Sequence, residues 1–172
     1  MRILTVAIHP DVTLIQDPIT VKRLSTRAIV QKDDQILLMY TKRYEDYSLP
    51  GGGLDNEEPI LEGCTRELIE ETGAQNVRNL QPYGIYEEYR PWYRDNANVM
   101  NMISYCFTCE IDDELGTPEL ESHEINNGMV PMWVNIHDAI AHNEDILAHS
   151  DKQGLSIIRE TYLLKHIASH QK

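Results

Sequence analysis

Three glutamates in the middle of the chain are spaced so that they could bind one divalent cation together. Glu67, Glu70 and Glu71 occupy positions i, i+3 and i+4. On an α-helix such residues share one face, with Cβ atoms about 5–6 Å apart. Carboxylate oxygens are ligands for Mg²⁺ or Mn²⁺ rather than for zinc or copper. The pattern indicates a metal site, although an ordinary solvated acidic face would show the same spacing.

Two neighbouring features favour the metal interpretation. Arg66 lies four residues before Glu70, close enough on a helix to orient that carboxylate through a bidentate pair. A triple glycine at residues 51–53 lies ahead of the helix. Glycine allows the backbone to approach a phosphate or a metal closely, and a helix N-terminus favours anions. The combination predicts a site that binds a phosphate through a metal ion.

A helix over residues 59–72 is expected to carry these glutamates. Pro59 suits the first helical position, and Gly73 is a natural helix stop. The opposite side of this helix should anchor it to a core, and it carries Leu61, Cys64, Thr65 and Leu68. The acidic side would then face a cleft or solvent.

Strands and two later helices complete the predicted architecture. Apolar runs at residues 24–31 and 35–42 flank the polar turn Lys32-Asp33-Asp34, which predicts a hairpin. Further strands are expected at residues 77–89, 99–111 and 130–134. Capping patterns at Asn135 and Ser150 predict two helices, the second with Leu155, Ile158 and Tyr162 on its apolar face. Strands alternating with helices indicate an α/β or α+β sandwich.

Composition narrows the class of protein. The chain has 172 residues, 41% of them hydrophobic, and a net charge of −13. A single soluble domain is therefore expected, and its acidity disfavours long nucleic acids as partners. Neither a signal peptide nor a membrane span is expected. An odd number of cysteines favours reduced thiols and a cytoplasmic location. Cys106 and Cys109 should point to opposite faces of a strand, which argues against a zinc site.

The glutamate segment resembles the signature of the Nudix hydrolases. The pattern Gly52-x5-Glu58-x7-Arg66-Glu67-Leu68-x-Glu70-Glu71-x-Gly73 fills every fixed position of the Nudix box. The resemblance extends over residues 24–140 and implies an α/β fold, an α/β/α sandwich around a mixed β-sheet in a single domain. We assign this domain to residues 23–172, and residues 1–22 to an N-terminal arm or extra strand. Such an arm would suit a homodimer.

The resemblance also implies a reaction. It would be Mg²⁺-dependent hydrolysis of a nucleoside diphosphate linked to another moiety, such as a sugar, a second nucleotide or a further phosphate. Glu67, Glu70, Glu71 and the carbonyl of Gly51 would bind the metal, with Glu58 and Arg66 supporting them. The proton of the attacking water would go to Glu67 or to a carboxylate outside the box. The outside candidates are Glu121 and Glu124.

Substrate contacts are predicted less sharply. We expect a small-molecule nucleotide to be held by Arg43, Tyr47, Gly52 and Tyr86, because arginine binds phosphate, tyrosine stacks on bases and glycine admits a phosphate closely. Other tyrosines, tryptophans and basic residues could serve equally, among them Tyr44, Tyr89, Trp92, Tyr93, Lys42, Arg90 and Arg94. The alternative is a nucleotide-sensing module on the same fold that cleaves nothing, but such a module would not need all three box carboxylates. Cleavage of RNA 5′ ends is a third alternative, which the acidic charge disfavours.

Overall fold

The computed structural model describes residues 1–94 and 96–170. Its strands are β1 (Ile3–Ile8), β2 (Thr20–Ile29), β3 (Gln31–Lys32), β4 (Gln35–Thr41), β5 (Asp46–Ser48), β6 (Arg78–Pro91), β7 (Val99–Glu110) and β8 (Met129–Asn135). Its helices are α1 (Ile60–Thr72), α2 (Ser122–Asn127), α3 (Ile136–His149) and α4 (Ile157–Ala168). A 3-10 turn at Pro10–Leu14 connects β1 to β2.

The strands form two sheets. The first has the order β1-β6-β7-β2 and is mixed, because β6 and β7 are antiparallel whereas β1 runs parallel to β6 and β2 parallel to β7. In the second sheet β4 is central, with β8 along one edge and β3 and β5 along the other, all antiparallel. The predicted hairpin is confirmed only at its tip, the pair β3–β4, where Lys32 is the partner of Gln35. Most of the first predicted run belongs to β2, which pairs with β7 in the other sheet.

Both faces of the central strands are buried under helices. Ile29, Ile36 and Leu38 pack with residues of α3 and α4 in one cluster. Ala28 and Leu37, which alternate with them, pack against α1 in a second cluster. Burial on both faces explains why these strands have nearly continuous apolar sequences. The α/β/α sandwich with a mixed sheet is thus confirmed.

The alternation of faces also separates the cysteines of β7. Cys106 lies in the cluster with α3 and α4, and Cys109 in the cluster with α1. All three cysteines are free and buried. Burial raises the pKa of Cys106 and Cys64 to about 12, so both stay protonated at neutral pH. Strand geometry therefore orients the two cysteines of β7 as the sequence predicted.

Two local predictions were wrong. Ser150 does not start the last helix; it ends α3, where its N–H donates to the carbonyl of Ile146, and α4 begins at Ile157. Consequently the buried side of α4 carries residues such as Leu163 and Ile167, while Leu155 and Ile158 are more than half exposed.

The core side of α1 also differs from the prediction. Cys64 and Leu68 are buried as expected, but Leu61 is 50% exposed and Thr65 only partly buried. Leu61 and Thr65 line a shallow apolar groove next to Leu80 instead. The side of α1 that packs against the core is therefore narrower than predicted, and it lies closer to Glu67 and Glu71 on the helix surface. No helix in the described part of the chain is both long enough and apolar enough to cross a membrane.

Candidate active site

A cleft of about 1000 Å³ opens between α1, the first half of β2, the segment of residues 46–57, α2 and the start of α4. All three box glutamates, Glu67, Glu70 and Glu71, line it together with Glu124. The cleft therefore brings the charged side of α1 together with a carboxylate more than fifty residues away along the chain.

The triple glycine holds α1 and β2 together at the cleft wall. The N–H of Thr26 donates to the carbonyl of Gly52 at 3.0 Å. The N–H of Gly51 donates to Oε2 of Glu71 at 2.6 Å. Gly51 has a φ of 138°, and a Cβ there would lie 2.1 Å from the carbonyl oxygen of Thr26. Only glycine fits at this position, because any side chain would collide with the backbone of β2.

Arg66 organises the carboxylates of the box. Its Nε and Nη2 donate to the two carboxylate oxygens of Glu58 at 2.8 and 3.0 Å. Its Nη1 donates to Glu67 at 2.9 Å and to Glu70 at 3.0 Å. The first pair lowers the pKa of Glu58 to about 2. Arg66 thus pairs with Glu70 as the spacing predicted, but through a single N–H, and its bidentate pair is with Glu58 instead.

Two of the glutamates are buried rather than solvated. Glu67 is 9% exposed and Glu71 is 4% exposed. Burial raises the pKa of Glu71 well above its usual value, although the hydrogen bond from Gly51 opposes the rise. Burial also raises the pKa of Glu67, against the opposing effect of Arg66. A bound cation would favour the ionised form of both groups.

The donor set suits a hard divalent cation, but the side chains are not yet arranged as a coordination shell. Among the described residues, no group of three or more Asp, Glu, His or Cys side chains is placed to hold one metal ion. The cause is local, since Nη1 of Arg66 lies between Glu67 and Glu70 while Glu71 bonds Gly51. All the available ligands are oxygens, which matches Mg²⁺ or Mn²⁺.

The structure separates the two outside candidates. Glu124 is 7% exposed, and its Oε2 accepts a hydrogen bond at 2.7 Å from the backbone N–H of Glu121, which caps α2. Its charge lies close enough to raise the pKa of both Glu67 and Glu71. The side chain of Glu121 is 66% exposed and pairs with His123. The capping hydrogen bonds at the start of α2 therefore orient Glu124 toward Glu67 and Glu71, and they leave Glu121 at the rim of the cleft.

The substrate residues expected from the sequence are placed unevenly. Gly52 lines the cleft. Arg43 lies beside the cleft. Its Nη1 donates to Oδ1 of Asn127 at 3.2 Å, and its guanidinium stacks on the ring of Tyr44. Tyr86 does not reach the cleft, because its side chain is 2% exposed and packs in the core against Tyr162.

Tyr47 is also turned away from the cleft. Its ring packs against Tyr40 and His142, with centroids 5.1 Å away in each case. Side chains alternate along a strand, and it is Asp46 and Ser48 of β5 that line the cleft. Tyr47 and Tyr86 are thus corrected to packing residues.

A buried ionic network in the wall of the cleft was not anticipated from the sequence. Glu160 of α4 accepts hydrogen bonds from Nε of Arg27 at 3.2 Å and from Nε of Arg159 at 2.9 Å. It also accepts one at 3.0 Å from the N–H of Leu49. Burial alone would raise the pKa of Glu160, but the two arginines outweigh it and hold that pKa below its usual value. These residues come from distant segments, so no spacing in the sequence indicates them.

Comparisons with known proteins agree with this geometry. Residues 21–154 match the family model of the NUDIX domain. The chain is 25% identical over 125 residues to the mitochondrial Nudix hydrolase 13 of Arabidopsis thaliana, covering 67% of this chain and 56% of that protein. It is 28% identical to the human diphosphoinositol polyphosphate phosphohydrolase 2, covering 64% and 54%. A putative 8-oxo-dGTP diphosphatase of Bacillus subtilis is 34% identical over 71 residues, covering 41% and 46%.

Solved structures share the fold. A NUDIX hydrolase from Nitrosomonas europaea superposes with a TM-score of 0.57 at 20% identity, covering 86% of this chain and 90% of that one. A MutT protein from Bacillus halodurans gives 0.58 at 23% identity, covering 87% and 83%. The chain spans about half the length of the curated relatives it matches.

Proposed function

The chain belongs to the NUDIX domain family, and from that premise we propose that it is a pyrophosphohydrolase. Its reaction is the hydrolysis of a phosphoric anhydride bond in a nucleoside diphosphate linked to a sugar, a second nucleotide or a further phosphate. One observation carries the proposal: Glu67, Glu70 and Glu71 of α1 and Glu124 of α2 line one cleft, and two of the box glutamates are nearly buried there. Arg66 supplies one positive charge beside Glu67 and Glu70, but these four carboxylates line the cleft together, and a divalent cation would offset the remaining negative charge.

We assign the metal to Glu67, Glu70, Glu71 and the carbonyl of Gly51. When bound, a divalent ion neutralises the diphosphate and lowers the pKa of a bound water. Arg66 donates hydrogen bonds to Glu67 and Glu70, which supports its assignment as the residue that positions them. Gly52 lets the chain pass close to the carboxylate of Glu67 and leaves space for a phosphate.

Two carboxylates are assigned as candidates for the proton of the attacking water. Glu67 is one candidate because it is buried in the cleft next to Gly52. In Glu124 only Oε2 accepts the capping hydrogen bond, which leaves Oε1 for a water. The water oxygen bonds to phosphorus, its proton goes to the carboxylate, and the bridging oxygen leaves with the second phosphate.

The names of the relatives support a phosphoric anhydride as the scissile bond. One relative is named for a diphosphoinositol polyphosphate and another for 8-oxo-dGTP. Both compounds contain linked phosphates, but they share no base or sugar. The likeness to these proteins therefore supports the type of bond and leaves the nucleoside to be found by assay.

Isotope labelling tests the proposed chemistry. Hydrolysis in H₂¹⁸O with Mg²⁺ should place one ¹⁸O atom in a single phosphate product, whereas EDTA should abolish turnover. The variants Glu67→Gln and Glu124→Gln then identify which carboxylate is the general base, because only loss of the base removes the acid limb of the pH profile of kcat/KM. Turnover that survives EDTA, or products without label, would contradict a metal-dependent hydrolase.

A further inference from the structure

Asp46 is a buried carboxyl that the proposed reaction does not use. Its side chain is 4% exposed, yet it lines the cleft beside Ser48 on β5. Across the sheet it pairs with Thr41 of β4, which is 6% exposed and also lines the cleft. Asp46 is therefore largely buried in the wall of the cleft, but a ligand in the cleft can still reach it.

Unlike the other buried carboxylates of the cleft, Asp46 lacks a partner. Glu71 accepts from Gly51, Glu124 from the N–H of Glu121, and Glu160 from two arginines and Leu49. Within residues 1–94 and 96–170, no other residue donates a hydrogen bond to the carboxylate of Asp46, and only its own N–H contributes. Among the described residues, the fully enclosed side-chain atoms without a partner belong to Thr26, Arg90 and Trp92. The carboxylate of Asp46 therefore meets the cleft itself, where a substrate group can donate a hydrogen bond to it.

The charge of Asp46 disfavours a phosphate as the group that it binds. Burial and the charge of Glu160 on α4 raise the pKa of Asp46 to about 6, while His142 on α3 and its own N–H oppose the rise. Glu45 and Tyr40 are the other titratable groups nearby, and Lys152 pairs with Glu45 rather than with Asp46. At neutral pH Asp46 is thus an anion, which repels phosphates and accepts hydrogen bonds.

The distance along the chain places Asp46 within reach of a nucleoside whose phosphates lie at the box. Asp46 precedes Gly51 by five residues, which span at most about 17 Å even when fully extended. A nucleotide bound through its phosphates near Gly51 and Glu67 would extend its sugar and base along the same cleft. The donors that it carries there are base N–H groups and ribose hydroxyls.

We propose that Asp46 determines which nucleoside the cleft accepts, by receiving a hydrogen bond from a neutral donor of the substrate, either a base N–H or the ribose 2′-hydroxyl. This assignment rests on the proposed function. A site built to hydrogen-bond a substrate group discriminates strongly against analogues that lack it.

Calorimetric binding without turnover tests the assignment. The probes are the Mg²⁺ complexes of GDP, ADP, CDP and UDP and of their 2′-deoxy forms. For the diphosphates that carry the recognised donor, Asp46→Asn should weaken binding between tenfold and a hundredfold, the range that a hydrogen bond to a charged group contributes. If the weakening depends on which base the diphosphate carries, the donor is a base N–H. If the weakening is absent from the 2′-deoxy diphosphates, the donor is the 2′-hydroxyl.

The control is Glu45→Gln, which removes a neighbouring carboxylate that does not line the cleft and pairs with Lys152. It should bind every diphosphate as the wild type does. Unchanged binding by Asp46→Asn, or equal weakening for all eight diphosphates, would overturn the assignment. Binding with discrimination but without any hydrolysis would refute the proposed reaction alone, whereas a wild type that binds no diphosphate would refute both.

Discussion

Alanine substitutions at the three consecutive glycines should give three different outcomes. A Cβ on Gly52 would lie 2.5 Å from Oε2 and 2.7 Å from Cδ and Oε1 of Glu67. An ordinary contact begins at 3.4 Å, so the carboxylate must move by about 0.9 Å. The obstacle is the end of a flexible side chain, and the fold should therefore survive. A displacement of about 1 Å at a reacting group costs on the order of 10²-fold in rate, and we expect that loss in kcat for Gly52→Ala.

The neighbouring glycines are matched controls. A Cβ on Gly53 meets nothing within 4 Å, so Gly53→Ala should keep wild-type activity and stability. A Cβ on Gly51 meets the backbone of Thr26 at 2.1 Å with φ at 138°. The backbone strain and the overlap together cost roughly 2–6 kcal/mol. Gly51→Ala should therefore lower the melting temperature by at least about 4 °C.

Thermal melts followed by circular dichroism, with steady-state hydrolysis of the best substrate, measure the whole series. We expect loss of kcat without loss of stability for Gly52→Ala, and loss of stability for Gly51→Ala. Equal kcat for Gly52→Ala and Gly53→Ala would refute the placement of Glu67 in the reaction. If Gly52→Ala unfolded, the side chain of Glu67 would be shown to be unable to move away from the added Cβ.

Two further predictions concern buried residues. The pKa of Asp46 rises from 3.8 to about 6 in the folded protein, so ionisation of this carboxyl destabilises the fold. The stability that depends on its protonated form is fully present below pH 3.8 and is lost as pH rises through about 6. The difference corresponds to about 3 kcal/mol, so Asp46→Asn should match the wild type at pH 4 and exceed its melting temperature by roughly 6–12 °C at pH 8; equal melting temperatures at pH 8 would refute this. Tyr86 lies in the core, so Tyr86→Phe should leave KM for every nucleotide unchanged, and a raised KM would return Tyr86 to the site.

The parts of the site that lie on one element were predictable. Helical spacing places Glu67, Glu70 and Glu71 together, and it pairs Arg66 with Glu70. The helix ends at Gly73 with a φ of 71°, as its lack of a side chain allows. Strand alternation likewise separates Cys106 from Cys109. In each case a local period determines the neighbours, so the sequence contains the information.

The parts assembled from distant segments were not predictable. Arg27 and Glu160 are separated by more than a hundred residues, yet they form a buried pair. Tyr86 and Tyr47 were chosen for their ring chemistry, but whether a ring faces the core or the cleft depends on strand register. Ser150 resembles a helix cap, yet tertiary packing begins α4 at Ile157. Local propensity describes what a residue can do, and packing decides what it touches.

Metal-dependent cleavage of a phosphoric anhydride is the central claim, and a phosphate-release screen of wild type against Glu70→Gln tests it most directly. The panel comprises dinucleotides, nucleotide sugars and ordinary and oxidised nucleoside triphosphates, each with Mg²⁺. We expect the wild type to cleave one class of compound and Glu70→Gln to lose on the order of 10²–10³ in turnover, as for other groups that stabilise transition-state charge. No cleavage by the wild type, together with measurable nucleotide binding, would contradict the claim and indicate a sensing module.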